Sequence, residues 1–64
     1  MNLDDWIVVA EFEEFRQVEM EVGRLSELAL DLGLNPEMVI ACAEKQPGFQ
    51  VMVHPDFFNY FQGS

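Results

Sequence analysis

Residues 5–33 read DWIVVAEFEEFRQVEMEVGRLSELALDLG, and the pattern in this stretch decides the fold that the sequence predicts. Apolar residues recur in it every three or four positions, which is the spacing of one face of an α-helix. They are Val8, Phe12, Phe15, Val18, Val22, Leu25, Ala29 and Leu32. Gly33 follows the last of them, at the position where helices commonly end in a left-handed residue. The stripe therefore predicts one long helix over residues 5–32.

A second helix is predicted by the residues that follow. Asn35, Pro36 and Glu37 have the order of a helix N-terminus, with a capping side chain before a proline at the first helical position. The apolar residues after them, Cys42 included, fit one face of a shorter helix over residues 36–45. The Gln-Pro-Gly sequence that comes next is a turn signal and ends this helix.

The rest of the chain alternates apolar and polar residues over 49–53, which is the period of a strand or an extended segment. We therefore predict a mainly α fold: a small helical domain with one long N-terminal helix, a second shorter helix and a C-terminal extended, aromatic segment. Residues 6–9 are aromatic or β-branched, which leaves an alternative open. In that alternative the fold is α+β, and residues 6–10 and 49–53 are paired strands.

Length and residue types limit the chemistry that the chain could perform. Its 64 residues predict a single domain over 1–64, and a hydrophobic content of 50% is enough for a compact core. Cys42 is the only cysteine and His54 the only histidine, so a disulfide within the chain and the common four-ligand zinc sites are excluded. We predict no catalytic residue, no cofactor, no metal site and no enzymatic activity.

Charge is the strongest signal of the composition. Twelve acidic residues stand against three basic ones and give a formal net charge of −9. Such a field repels nucleic acid and anionic membranes and attracts basic surfaces. We therefore predict a protein partner with a basic surface, with no direct contact to nucleic acid or membrane. The N-terminus is acidic where a signal peptide would be basic, which predicts a cytoplasmic protein.

The candidate partner-binding acids lie in the predicted long helix. They are Glu13, Glu14, Glu21, Glu27 and Asp31. Glu13, Glu27 and Asp31 are expected to project together from the side opposite the apolar stripe, and Glu14 and Glu21 are expected to flank the stripe. Gly23 lies on the same side, where glycine costs about 1 kcal/mol relative to alanine.

The terminal aromatic cluster is a second candidate contact surface. It consists of Phe57, Phe58, Tyr60 and Phe61. In a small domain such residues normally complete the core. Any of them that remain exposed would be suited to anchor a partner, because a few aromatic side chains often dominate an interface.

The sequence predicts a small acidic protein-binding module, an inhibitor or adaptor that docks on a basic surface of its partner. A sharper form is a nucleic-acid mimic, since carboxylates one helical turn apart can occupy sites built for phosphates. Small acidic inhibitors that phages use against restriction or CRISPR nucleases share this general character, which is an analogy only. The alternative is a self-assembling helical structural or adaptor protein whose core is completed by homo-oligomerisation, because the stripe also fits a heptad pattern from Phe15.

Overall fold

The computed structural model describes residues 5–62, and these form an α+β fold with three strands and three helices. The strands are β1 (Ile7–Phe12), β2 (Ile40–Lys45) and β3 (Gly48–Val53). The helices are α1 (Phe15–Asp31), α2 (Pro36–Val39) and α3 (Pro55–Gln62). The prediction of a mainly α fold is therefore wrong. The alternative α+β interpretation gives the fold class, and its two candidate strands overlap β1 and β3.

The three strands form one sheet in the order β1-β3-β2. Strand β3 lies in the centre and pairs antiparallel with both neighbours, so that β1 and β2 run in the same direction on either side of it. Helix α1 connects these two outer strands, with β3 inserted between them as in a split βαβ unit. The central strand thus comes from the C-terminal part of the chain and lies beside β1, which comes from the N-terminal part.

A β-bulge explains why apolar and polar residues do not alternate along β1. The register with β3 shifts between Val8 and Ala10, so Val9 is the extra residue. Both Val9 and Ala10 pack against the core, whereas Val8 is exposed. The core-facing residues of β1 are Ile7, Val9, Ala10 and Phe12. This spacing breaks strict alternation, which removes the usual signature of a strand.

Helix α1 matches the prediction over most of its length and begins ten residues later than predicted. Val18, Leu25 and Ala29 are buried and come from the predicted stripe. Its end is also confirmed, because Gly33 has a φ of 80°. The N–H of Gly33 donates to Leu30 O at 3.0 Å and the N–H of Leu34 to Ala29 O at 2.8 Å, the two hydrogen bonds of a Schellman motif.

The second predicted helix is only partly right. Asn35 Oδ1 accepts a hydrogen bond from the N–H of Glu37 at 3.0 Å, and Pro36 starts α2 as expected. The helix ends at Val39, however, and residues 40–45 form β2 instead of completing the helix. Their backbone pairs with β3, a partner that lies beyond the turn in sequence. Cys42 consequently sits exposed on an edge strand and not on the apolar face of a helix.

The turn and the strand at 49–53 are confirmed. Lys45 and Gly48 are paired, and the two residues between them contain a cis peptide bond before Pro47. Phe49, Val51 and Val53 then direct their side chains to the same side of β3, and the latter two are completely buried. The extended segment of the prediction is therefore the central strand of the sheet.

The core lies between the helices and one face of the sheet. Its buried residues are Val18, Leu25, Ala29, Val39, Ile40, Val51, Val53 and Phe57. The opposite face of the sheet carries Val8, Glu11 and Gln50, and Gln50 Nε2 donates to Glu11 Oε2 at 2.7 Å. Because α1 covers the sheet with one side, its other side is free to face solvent.

Candidate partner-binding surface

The structure separates the predicted acidic residues into two groups. Glu13 lies between β1 and α1, and Glu14 is the residue that precedes the first turn of α1. Glu27 and Asp31 lie one turn apart near the other end of the helix, about 20 Å and about 26 Å from Glu14 respectively at 1.5 Å per residue. The expectation that Glu13 projects with Glu27 and Asp31 from one helix face is wrong, because Glu13 precedes the helix.

The carboxylate of Glu21 is already paired within the fold, because it forms an ion pair with Arg24. Arg24 Nη2 lies 2.6 Å from Glu21 Oε2, and Arg24 Nε donates to Glu21 Oε1 at 3.0 Å. The hydrogen bond from Arg24 lowers the pKa of Glu21 below its usual value, and partial burial opposes that shift. Local compensation of its charge leaves Glu21 less suited than Glu27 or Asp31 to attract a basic partner.

We expect Glu21→Gln to destabilise the fold by less than about 1 kcal/mol at neutral pH, because Arg24 is 65% exposed and solvent screens the pair. Since the pKa of Glu21 is lowered by folding, its contribution is present above the usual pKa of glutamate. It is lost as the pH falls through the lowered value. Denaturant unfolding of both proteins across this pH range checks the expectation.

Glu19→Gln is the matched control, because Glu19 lies on the same helix and has no ion-pair partner among residues 5–62. The difference between wild type and Glu21→Gln should shrink on acidification, whereas Glu19→Gln should track wild type throughout. A difference that is constant with pH would show that the ion pair does not stabilise the fold.

Phe57 and Phe58 pack inward, and Tyr60 is exposed; the side chains of these three members of the aromatic cluster are described. Phe57 is 0% exposed and belongs to the core, and Phe58 is half-buried against it. Tyr60 is exposed. Phe61 lies in α3, and its side chain is outside the described part of the structure. A partner could reach Tyr60 without disturbing the fold, whereas access to Phe57 would require the core to open.

The sequence analysis missed an exposed apolar surface on α1. Met20 is 71% and Leu30 64% exposed, the largest values among the large hydrophobic residues that the structure describes. Helical spacing places both on the side opposite Val18 and Leu25. We call this surface the outer face of α1; it consists of Met20, Gly23, Glu27, Leu30 and Asp31. Two apolar residues outside the predicted stripe were the signal that could have revealed it.

Charge on the outer face is concentrated toward the C-terminal end of α1. Glu27 and Asp31 are exposed, and neither has an ion-pair partner within residues 5–62. Arg16 lies on the same side at the other end of the helix, about 16 Å before Glu27 along the axis. The outer face therefore offers two uncompensated carboxylates beside exposed apolar side chains.

The side chain of His54 makes contacts within the fold at the junction between β3 and α3. Its Nδ1 accepts a hydrogen bond from the N–H of Asp56 at 3.0 Å, and its ring meets Trp6 edge to face at 5.6 Å between centroids. Among residues 5–62 there is no group of three or more His, Cys, Asp or Glu side chains placed to hold a metal ion. The imidazole thus has a structural role in starting α3.

A depression of about 420 Å³ lies at the end of the sheet, beside the turn between β2 and β3. Its lining includes Glu11, Glu13, Lys45 and Gln50. Carboxylates and an ammonium group therefore share one shallow opening. This mixture does not define a single class of ligand, and the outer face of α1 remains the better-defined candidate surface.

Comparison of the chain with models of protein families, with curated protein sequences and with solved structures gives no match to any of them. No helix within residues 5–62 combines the length and the apolar character that crossing a membrane requires.

Proposed function

We propose that the protein is a small acidic protein-binding module of the cytoplasm, an inhibitor or adaptor that docks on a basic surface of another protein through the outer face of α1. The observation that carries this proposal is the placement of exposed Glu27 and Asp31 beside exposed Met20 and Leu30. Apolar area supplies short-range binding energy, and carboxylates supply attraction and orientation. The outer face combines both on one rigid helix.

Net charge supports the same proposal at longer range. The formal net charge of −9 creates a field that draws a basic surface toward the molecule and accelerates its association. Salt weakens this attraction, since the Debye length is about 8 Å at physiological ionic strength. Association should therefore be fast at low salt and slower as salt is added.

Mimicry of nucleic acid is the sharper form of the proposal. Glu27 and Asp31 are four residues apart on α1, so their Cβ atoms lie about 5–6 Å apart. A second acidic group, Glu13 and Glu14, lies at the start of the same helix. Two exposed acidic groups at a fixed separation could occupy two phosphate sites of a nucleic-acid-binding protein.

Homo-oligomerisation through the apolar stripe is less well supported. Val18, Leu25 and Ala29 belong to that stripe, and all three are buried within the same chain. A coiled coil built on these residues would have to remove α1 from the sheet. These three residues thus serve the core of the chain itself, whereas Met20 and Leu30 on the outer face are exposed.

We expect the double variant Glu27→Lys/Asp31→Lys to associate with the partner about tenfold more slowly than wild type at low salt, because it reverses the charge that steers the encounter. A tagged protein recovers the partner from cells that produce the chain, and surface plasmon resonance then gives association rates over a salt series. The wild-type rate should fall with salt, and the rate of the variant should depend on salt much less.

The matched control is Glu37→Lys/Glu44→Lys, which changes net charge equally on exposed residues of α2 and β2. This control should retain most of the wild-type rate. Equal slowing in both variants would show that only total charge matters and that the outer face is not the docking surface. A wild-type rate that responds neither to salt nor to the reversal would end the proposal.

A further inference from the structure

We propose that the partner presents an α-helix to the outer face of α1 and that this helix crosses α1 at Gly23. The inference rests on the proposed function, because it specifies which element of the partner occupies the docking surface. It is carried by the position of Gly23 between exposed apolar residues, together with the charge beside it.

No contact within residues 5–62 requires a glycine at position 23. A Cβ at this position would meet nothing within 4 Å, and the residue lies in the interior of a 17-residue helix. Glycine there costs about 1 kcal/mol relative to alanine. Gly33 differs because its φ is positive, and Gly48 differs because a Cβ there would overlap the carbonyl oxygen of Phe12. Gly23 thus weakens the helix without serving a contact inside the fold.

The absence of a side chain at Gly23 would allow a second helix to pack closely against α1. Helices pack with axes about 8–10 Å apart, and small residues at the crossing point allow the closest approach. Gly23 follows Met20 by almost one turn and precedes Leu30 by two turns. A notch between two protruding apolar side chains fits a helix whose own apolar residues recur at three- and four-residue spacing.

Charge indicates what the partner helix carries. Glu27 and Asp31 lie beyond the notch toward the C-terminal end of α1, and they are exposed and uncompensated. Lysine or arginine on the partner helix would pair with them there. A second copy of this chain is a poor occupant, because it would bring the same carboxylates together and add another formal charge of −9. The occupant is therefore a basic amphipathic helix of a different protein.

Photocrosslinking tests the identity of this occupant. The photoreactive residue benzoylphenylalanine replaces Met20 or Leu30 on the outer face, or Glu44 on β2 as the control, and mass spectrometry identifies the crosslinked peptides from producing cells. We expect Met20 and Leu30 to crosslink to one lysine- or arginine-rich segment with helical apolar spacing, and Glu44 not to crosslink to it. Crosslinks to this chain, to an extended segment, or at no more than the level of Glu44 would overturn the proposal.

Substitution of Gly23 then tests the close approach with the crosslinked protein as probe. Gly23→Ala should leave the domain at least as stable as wild type and weaken binding, and Gly23→Leu should weaken it further, by about tenfold or more. Glu44→Leu is the control, because it adds the same side chain to an exposed position on β2, away from α1, and should retain binding. Thermal unfolding of each variant shows that the fold is intact.

The two proposals can fail separately. If charge reversal at Glu27 and Asp31 slows association and Gly23→Leu leaves affinity unchanged, docking stands and the helix crossing at Gly23 is wrong. If Gly23→Leu weakens binding and charge reversal has no effect, helix packing stands and electrostatic docking is wrong. Loss of binding in Glu44→Leu equal to that in Gly23→Leu would also overturn the crossing, because the effect would not depend on Gly23.

Discussion

Leu25→Ala is expected to lower the free energy of unfolding by about 2–5 kcal/mol. Leu25 is 1% exposed and lies in the core between α1 and the sheet, so the truncation removes buried methyl groups and leaves a cavity. Domains of ordinary size have about 5–15 kcal/mol of stability in total, and small ones lie near the lower end. The loss is therefore a large part of what holds this 64-residue domain together.

Leu30→Ala is the matched control, because the same substitution on the same helix removes a side chain that is 64% exposed. Its effect should stay within about 0.5 kcal/mol. Chemical denaturation followed by the fluorescence of Trp6 and by circular dichroism gives both free energies. A loss below about 1 kcal/mol for Leu25→Ala would show that the predicted stripe is not a core face.

The parts of the fold that could be predicted are those encoded over a short range. The stripe of α1 repeats over several turns, and Gly33 ends it with a left-handed residue that glycine adopts easily. The side chain of Asn35 caps the neighbouring residues, and the proline after it fits the first turn of a helix. These signals depend on residues within a few positions of one another, so no knowledge of the tertiary fold is needed to interpret them.

The strands at the two sheet edges could not be predicted in the same way. The sequence Ile-Ala-Cys-Ala-Glu-Lys of β2 contains several residues that favour a helix, and it becomes a strand because β3 pairs with it. In β1 the extra residue Val9 disturbs the alternation, and the predicted helical stripe joined Val8, which is exposed, to Phe12, which packs against the core. Both strands are determined by β3. The mainly α prediction gave this segment no partner, and the α+β alternative gave it only residues 6–10.

These errors explain which residues of the candidate site were placed correctly from the sequence and which were not. Glu27 and Asp31 were placed correctly on an exposed helix face because α1 is a helix at their positions. Glu13 was misplaced because the predicted helix included β1 and the connection after it. Gly23 was recognised as unfavourable for a helix, but it was not connected with Met20, an exposed apolar residue outside the predicted stripe.

Gly48→Ala is expected to destabilise the domain by about 1–3 kcal/mol, as an overpacked position that cannot relax. A Cβ at Gly48 would overlap the carbonyl oxygen of Phe12 and would lie 3.1 Å from the Cα of Glu13. Both are backbone atoms, so a side-chain rotation cannot relieve the contact. Because Phe12 is paired with Phe49 in the sheet, the added methyl group would have to push β1 away from β3.

Gly23→Ala gives this experiment its control, since the two substitutions are chemically identical and have opposite expected signs. The Cβ at Gly23 enters open space on a helix, where alanine should stabilise the domain by up to about 1 kcal/mol. Denaturant midpoints measured for both variants under the same conditions give the comparison. If Gly48→Ala were as stable as wild type, the approach of Phe12 to Gly48 would be looser than the structure shows. The opposite signs are expected because the fold itself requires a glycine at position 48. At position 23, a glycine is required only for contact with the proposed partner.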